Sequence, residues 1–134
     1  MKVRKDFVTN SSSSSFIIAK HKDCTRDEIK TMLYNLKDKI AYLISCFEGD
    51  LYCDYDDAIK RAYENNDMDT ATELAIEELA NHLFNSKRDD LVLDNWIVRS
   101  AYASSEDGEL FGSSLYDFGH LMNTEHLKLT SGGC

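Results

Sequence analysis

From Ile29 onward the apolar positions recur at steps of three and four: Ile29, Met32, Leu33, Leu36, Ile40, Leu43, Ile44 and Phe47. On a helix of 3.6 residues per turn these fall on one stripe, so the pattern predicts an amphipathic helix over 26–47. Thr25-Arg26-Asp27-Glu28 opens it as a capping box. The Thr25 hydroxyl is placed for an early backbone N–H, and Glu28 for a reach back to the cap. Gly49 ends the segment. A second, shorter helix is predicted over 54–65, with Ala58, Ile59, Ala62 and Tyr63 inward and Asn65-Asn66-Asp67 as the break. Thr70-Ala71-Thr72-Glu73 repeats the capping-box spacing and predicts a third helix over 71–85. Leu74, Leu79, Leu83 and Phe84 form its apolar side, and Glu77 and Glu78 lie on an acidic one.

Shorter runs rich in β-branched and aromatic residues predict strands at both ends of the chain. Phe7-Val8 and Phe16–Ala19 flank a serine run, and serine hydroxyls compete for nearby backbone groups, so residues 10–14 are expected to turn. A hairpin over 1–19 is the first expectation, and an irregular strap laid against the sheet is the second. Leu91–Leu93 reads as a short strand or a connection. Trp96–Tyr102 is a strand with Trp96 in the core, Asp107-Gly108 is a hairpin turn, and Glu109–Phe111 is the antiparallel return. Leu115–Met122 is ambiguous, with a short helix as one reading, and His126–Leu129 supplies a last strand. Residues 130–134 read as a flexible tail. Strands, then helices, then strands in one 134-residue chain predict a single α+β domain. Its small antiparallel sheet comes from N- and C-terminal strands, with about three helices packed on one face.

Charge adds a feature that periodicity does not show. The formal net charge is −9, and residues 48–78 alone hold eleven acids against Lys60 and Arg61. Residues 1–47 carry a net +4 and residues 79–134 a net −4. Thirty-one mostly helical residues at ~1.5 Å each present about one carboxylate per ~4 Å of axis. One DNA strand carries a phosphate every ~3.4 Å, so the density is comparable. An anionic body disfavours direct nucleic-acid binding and favours a basic partner. Asp54, Asp56, Asp57, Glu64, Glu73, Glu77 and Glu78 are the expected partner-binding positions.

The chain opens with Lys2, Arg4 and Lys5, followed by Phe7-Val8-Thr9-Asn10, five serines (Ser11, Ser12, Ser13, Ser14, Ser15) and Phe16. This block resembles an N-terminal signature, basic-x-x-Phe-Val-Thr/Ser-Asn-poly-Ser-Phe, shared by small uncharacterised proteins of Firmicutes and their phages. The resemblance covers the first fifteen to twenty residues. It implies a phage or mobile-element setting and no particular reaction. Phe7, Asn10, Ser11–Ser15 and Phe16 are the candidate docking signature.

Motifs with defined chemistry are sparse. The serine run contains no glycine and no Gly-Lys-Ser/Thr, which argues against a phosphate loop. The acids at 48–57 lack the spacing of a calcium-binding loop. Of the zinc candidates His21, Cys24, Cys46, Cys53, His120 and His126, the pair His120 and His126 falls just inside the usual ligand spacing, Cys46 and Cys53 are too far apart to form a knuckle, and Cys46 sits on the core side of the first helix. His82, one turn after Glu78, reads as half of a surface pair. No apolar run approaches the ~20 residues of a membrane span, and no secretory h-region is present, so a cytoplasmic location with free thiols is expected. These readings converge on a non-enzymatic, cofactor-free acidic interaction protein of a phage or mobile element. Its expected partner is a basic host protein that handles nucleic acid, and an inhibitor of CRISPR or restriction machinery is the concrete version. The alternatives are a small metal-dependent enzyme using His120 and His126 with Asp117 and Glu125, and a virion or assembly accessory protein.

Overall fold

The computed structural model describes residues 13–50, 58–85, 90–104 and 109–131. It is an α+β fold built on a four-stranded antiparallel sheet of order β2-β3-β1-β4. β1 (Ser13–His21) lies in the middle, β3 (Trp96–Ser104) on one side and β4 (Leu127–Ser131) on the other, with the short β2 (Leu91–Leu93) beyond β3. The registers Ile18↔Arg99 and Ile18↔Leu129 place these side chains on one face. Phe16, Ile18, Ala103, Leu127 and Leu129 on this inner face are buried. Ile17, pairing Ser100 and Thr130, points the other way and is exposed.

The sheet departs from the expected layout in two places. Ser13, Ser14 and Ser15 continue the ladder opposite Ser104, Ala103 and Tyr102, so Ser13 and Ser14 do not turn. Regular pairing with β3 outweighs any local hydroxyl contact there. Residues 7–8 and 10–12 of the expected hairpin or strap lie outside the described residues. Residues 110–111 do not return as a strand: α5 (Leu110–Phe118) begins there and packs on the inner face. The hairpin forms instead between β2 and β3, where Leu93 pairs Trp96 across a two-residue turn with Asp94 at φ 56°.

The first predicted helix is two. α1 (Arg26–Tyr34) and α2 (Lys37–Cys46) meet at a corner of Asn35 and Leu36, where Asn35 N–H is shared between the Thr31 and Met32 carbonyls. Asparagine is a weak helix former, and Leu36 turns at φ −107°, ψ 14°. The apolar stripe continues across the corner, so Ile29 and Leu33 before it and Ile40, Leu43 and Ile44 after it are all fully buried. α2 ends with the Gly49 N–H on the Ile44 carbonyl and Gly49 at φ 80°, where a Cβ would stand 2.8 Å from that of Tyr63. α3 (Ala58–Glu64) ends on Asn66 in the same left-handed conformation. Positions 54–57 of the predicted second helix lie outside the described residues.

α4 (Met68–Phe84) is the central helix and packs against α1, α2 and α3. It starts three residues before the predicted 71, because Asp67 is its cap and accepts from the Thr70 backbone at 3.2 Å. Ala71, Ala75, Ile76, Leu79, Ala80 and Leu83 are buried along it. Its last carbonyls meet two cations from the inner face of the sheet: Lys20 Nζ donates to the Phe84 carbonyl and Arg99 to that of His82. Cations at a helix C-terminus complement both the open carbonyls and the helix dipole.

Candidate functional site

The predicted acidic ridge divides once its residues are placed. Asp54, Asp56 and Asp57 lie outside the described residues. Glu64 is exposed at the end of α3, and Glu73 is exposed on α4, accepting from the Tyr34 hydroxyl at 2.6 Å. Glu77 is held by Arg26 and Lys30 of α1, each at 2.5 Å. Those two cations hold its carboxyl below the usual glutamate value, Lys30 contributing most. Glu78 is only 2% exposed and bonds His82 Nε2 at 2.9 Å, while the His82 ring stacks on Phe111 at 5.0 Å. The Glu78–His82 pair is therefore part-buried, with its carboxylate inside and its imidazole half-buried. Glu77 and Glu78 are removed from the expected partner-binding set, the first by neutralisation and the second by burial. The reason is geometric: the second half of α4 lies under α1 and α5, which face it with cations and an aromatic ring.

The first half of α4 keeps its charge open. Asp67, Asp69 and Glu73 are exposed, and none of the three is ion-paired among the described residues. The Asp67 carboxyl is held below its usual value by the Thr70 hydroxyl and backbone N–H. Between this stretch and the α1–α2 corner lies an open groove of about 630 Å³. Ala41, Met68, Thr72 and Ile76 line its inner part; Tyr34, Lys37, Asp38, Asp69 and Glu73 form the exposed rim. Of the groove's acids, only Glu73 was among the expected positions. Asp38 lies outside the acidic stretch, on α2, and lines the groove with Asp69 and Glu73.

A second cluster joins the start of α1 to the approach to β4. The Glu28 N–H donates to Thr25 Oγ1 at 3.1 Å, so half of the capping box forms. The Glu28 carboxylate turns the other way. It accepts from the Thr124 hydroxyl, from the His126 backbone N–H at 3.0 Å, and from the His126 ring at 2.8 Å. Burial pushes the Glu28 carboxyl up, but these hydrogen bonds outweigh it and leave the group below its usual value. The bond to Glu28 raises His126. His21 lies alongside, 5.3 Å from His126 and edge-on to Trp96 at 4.9 Å. Trp96 is thus half-buried on the outer face of the sheet and not in the core. Chemically this is an imidazole oriented by a carboxylate, the arrangement of an acid–base group.

The pairing of His120 with His126 does not form. His120 is exposed on the 3-10 turn 119–121, and its carbonyl accepts from Asn123. Among the described residues no group of three or more His, Cys, Asp and Glu side chains could hold a metal ion. Cys24 and Cys46 are buried and not joined in a disulfide, Cys46 buried as expected, and burial pushes the Cys24 thiol up to about 11. A thiol held protonated in this way is a poor nucleophile. Among the described residues no helix is long and apolar enough to cross a membrane. No family model matches the sequence, and no curated protein or solved structure shows significant similarity to it.

Proposed function

We propose that the protein is a non-enzymatic acidic interaction module that docks on a basic surface of a partner protein. The observation that carries this reading is the exposed run of Asp67, Asp69 and Glu73 at the start of α4, none of them in an ion pair among the described residues, beside Glu64 of α3. A field of one sign left exposed attracts a complementary surface and raises its rate of encounter. The concrete version is a cytoplasmic phage or mobile-element protein that covers the nucleic-acid-binding surface of host defence machinery. Its support is the acidic excess of residues 48–78 and the resemblance of residues 1–16 to phage-associated proteins. The test is a binding measurement between the full-length chain and a basic nuclease of a CRISPR or restriction system. Binding is expected to weaken with salt and to be lost on charge reversal at 54, 56, 57, 64 and 73. Binding that survives those reversals unchanged removes the reading.

One observation favours an enzymatic alternative: Glu28 orients His126 beside His21 and Trp96. In that reading His126 is the acid–base residue. His126→Ala abolishing an activity found by substrate screening, with the fold intact, would support it. An unaffected activity would end it.

A further inference from the structure

We propose that the edge of β3 beyond the end of β2 is a docking site for an extended, basic segment of the partner protein, which adds to the sheet as a further strand. This inference rests on the acidic-module reading above and names a contact of a different kind, made through the backbone. β2 pairs only with residues 96–98, whereas β3 runs on to Ser104. The ladder itself shows where the backbone groups of the remaining stretch point. In an antiparallel pair the N–H and C=O of one residue face the same side, and successive residues alternate. His21 N–H donates to the His126 carbonyl at 2.8 Å, so the odd positions of β1 face β4 and the even ones face β3. Their partners Ile97, Arg99, Ala101 and Ala103 are thereby used. Ser100 and Tyr102 turn N–H and C=O to the far side, where no strand pairs with them among the described residues.

The opposite edge of the sheet is closed. On the free side of β4, Leu129 N–H donates to the Asn123 side-chain oxygen at 2.8 Å, and the Leu127 carbonyl accepts from Thr124 N–H at 2.8 Å. An open edge is a template for another chain, and the β3 edge also borders a pocket of about 380 Å³, within the range of ligand sites. Residues 99–102 form one wall, and Asp90, Glu109 and Phe111 stand across from it. A strand laid on this edge alternates its side chains. One set enters the pocket between Ala101 and Phe111, and the other joins the exposed Tyr102 on the outer face. Charge selects the occupant. A second copy paired through the same edge would crowd Asp90 and Glu109 of both copies along one seam, where like charges oppose pairing. A basic segment meets these acids with opposite charge, and the Arg99 guanidinium is engaged by the His82 carbonyl.

The probe is the end-capped peptide Lys-Val-Thr-Val-Lys, titrated into the isotopically labelled full-length chain and followed by amide shifts and hydrogen exchange. The largest shifts are expected over 99–103 and 109–111. Exchange of the Ser100 and Tyr102 N–H groups is expected to slow by about tenfold or more, as new hydrogen bonds protect them. The same peptide methylated on its backbone nitrogens keeps every charge but cannot donate to the edge, and is expected to bind about tenfold more weakly or worse. Ser100→Pro removes one edge donor and no bond to β1, so the amide spectrum should report an intact fold with peptide affinity reduced several-fold. Equal affinity of the methylated and unmethylated peptides overturns the proposal, as does unchanged exchange at Ser100 and Tyr102 under saturating peptide. Exchange that slows with protein concentration alone also overturns it, in favour of a second copy on the edge. Shifts confined to 67–73 that vanish in salt place the peptide on α4, so this inference falls while the acidic-module reading stands. Absence of any binding overturns the inference too, and the nuclease measurement above decides the module reading separately.

Discussion

The two halves of α4 carry similar numbers of acids and treat them in opposite ways. In the first half Asp67, Asp69 and Glu73 stay in solvent, and the nearest donors are hydroxyls and a backbone N–H. In the second half Glu77 is clamped by Arg26 and Lys30, Glu78 is buried against His82, and the last carbonyls are held by Lys20 and Arg99. One end of the helix is a surface and the other is part of the scaffold. Identical residue types thus acquire different roles according to what packs opposite them. Acid counts along a sequence are a poor guide to an electrostatic surface when the cations of a neighbouring helix lie within reach.

Truncating glutamates along this one helix tests that division most severely. Glu78→Ala leaves His82 without its buried partner and is expected to cost about 3 kcal/mol in denaturant unfolding. A loss below about 1 kcal/mol would mean that the pair is not part of the scaffold. Arg99→Ala uncovers the His82 carbonyl at the end of α4 and is expected to cost about 2 kcal/mol, read the same way.

Glu77→Gln removes a half-exposed ion network, so about 1 kcal/mol or less is expected, and less still in high salt. Its pH dependence has a definite sign. The folded carboxyl lies below its unfolded value, so its contribution is present above the ordinary glutamate range and is lost as pH falls through the depressed folded value. Wild type and Glu77→Gln should therefore converge in stability in acid and separate near neutrality. Glu73→Gln is expected to leave unfolding unchanged while weakening binding to a basic partner protein, the reverse of the Glu78 result. If Glu73 and Glu78 behave alike, the contrast between the two halves is wrong.

The Glu28–His126 contact supplies a control away from α4. His126 is raised in the folded state, so its contribution is present below the ordinary histidine value and is lost as pH rises through the higher folded one. An NMR titration should place His126 above an unperturbed histidine, and Glu28→Gln should bring it back.

Much of the architecture follows from local pattern. The stripe from Ile29 to Phe47, the apolar side of α4 and the strand-forming runs 16–19, 96–102 and 126–129 each report burial through a period set by backbone geometry. They were enough to establish an α+β chain with a sheet closed between its two ends. Side-chain pairing was less legible. Thr25 caps α1 as its spacing implies, but Glu28 in the same motif bonds Thr124 and His126, about a hundred positions away. No local rule distinguishes these two uses of a glutamate, because both satisfy hydrogen-bond donors equally well.

The sequence by itself therefore determined the α+β class, the apolar stripes of the helices and the acidic excess. Tertiary structure decided which acids remain an outward field, that Asp38 of α2 shares a groove with Asp69 and Glu73, and which cations close the end of α4. The physical reason is range. Burial periodicity is fixed over a few residues by helix and strand geometry, whereas the fate of a charge depends on whatever the completed fold sets within a few ångströms of it.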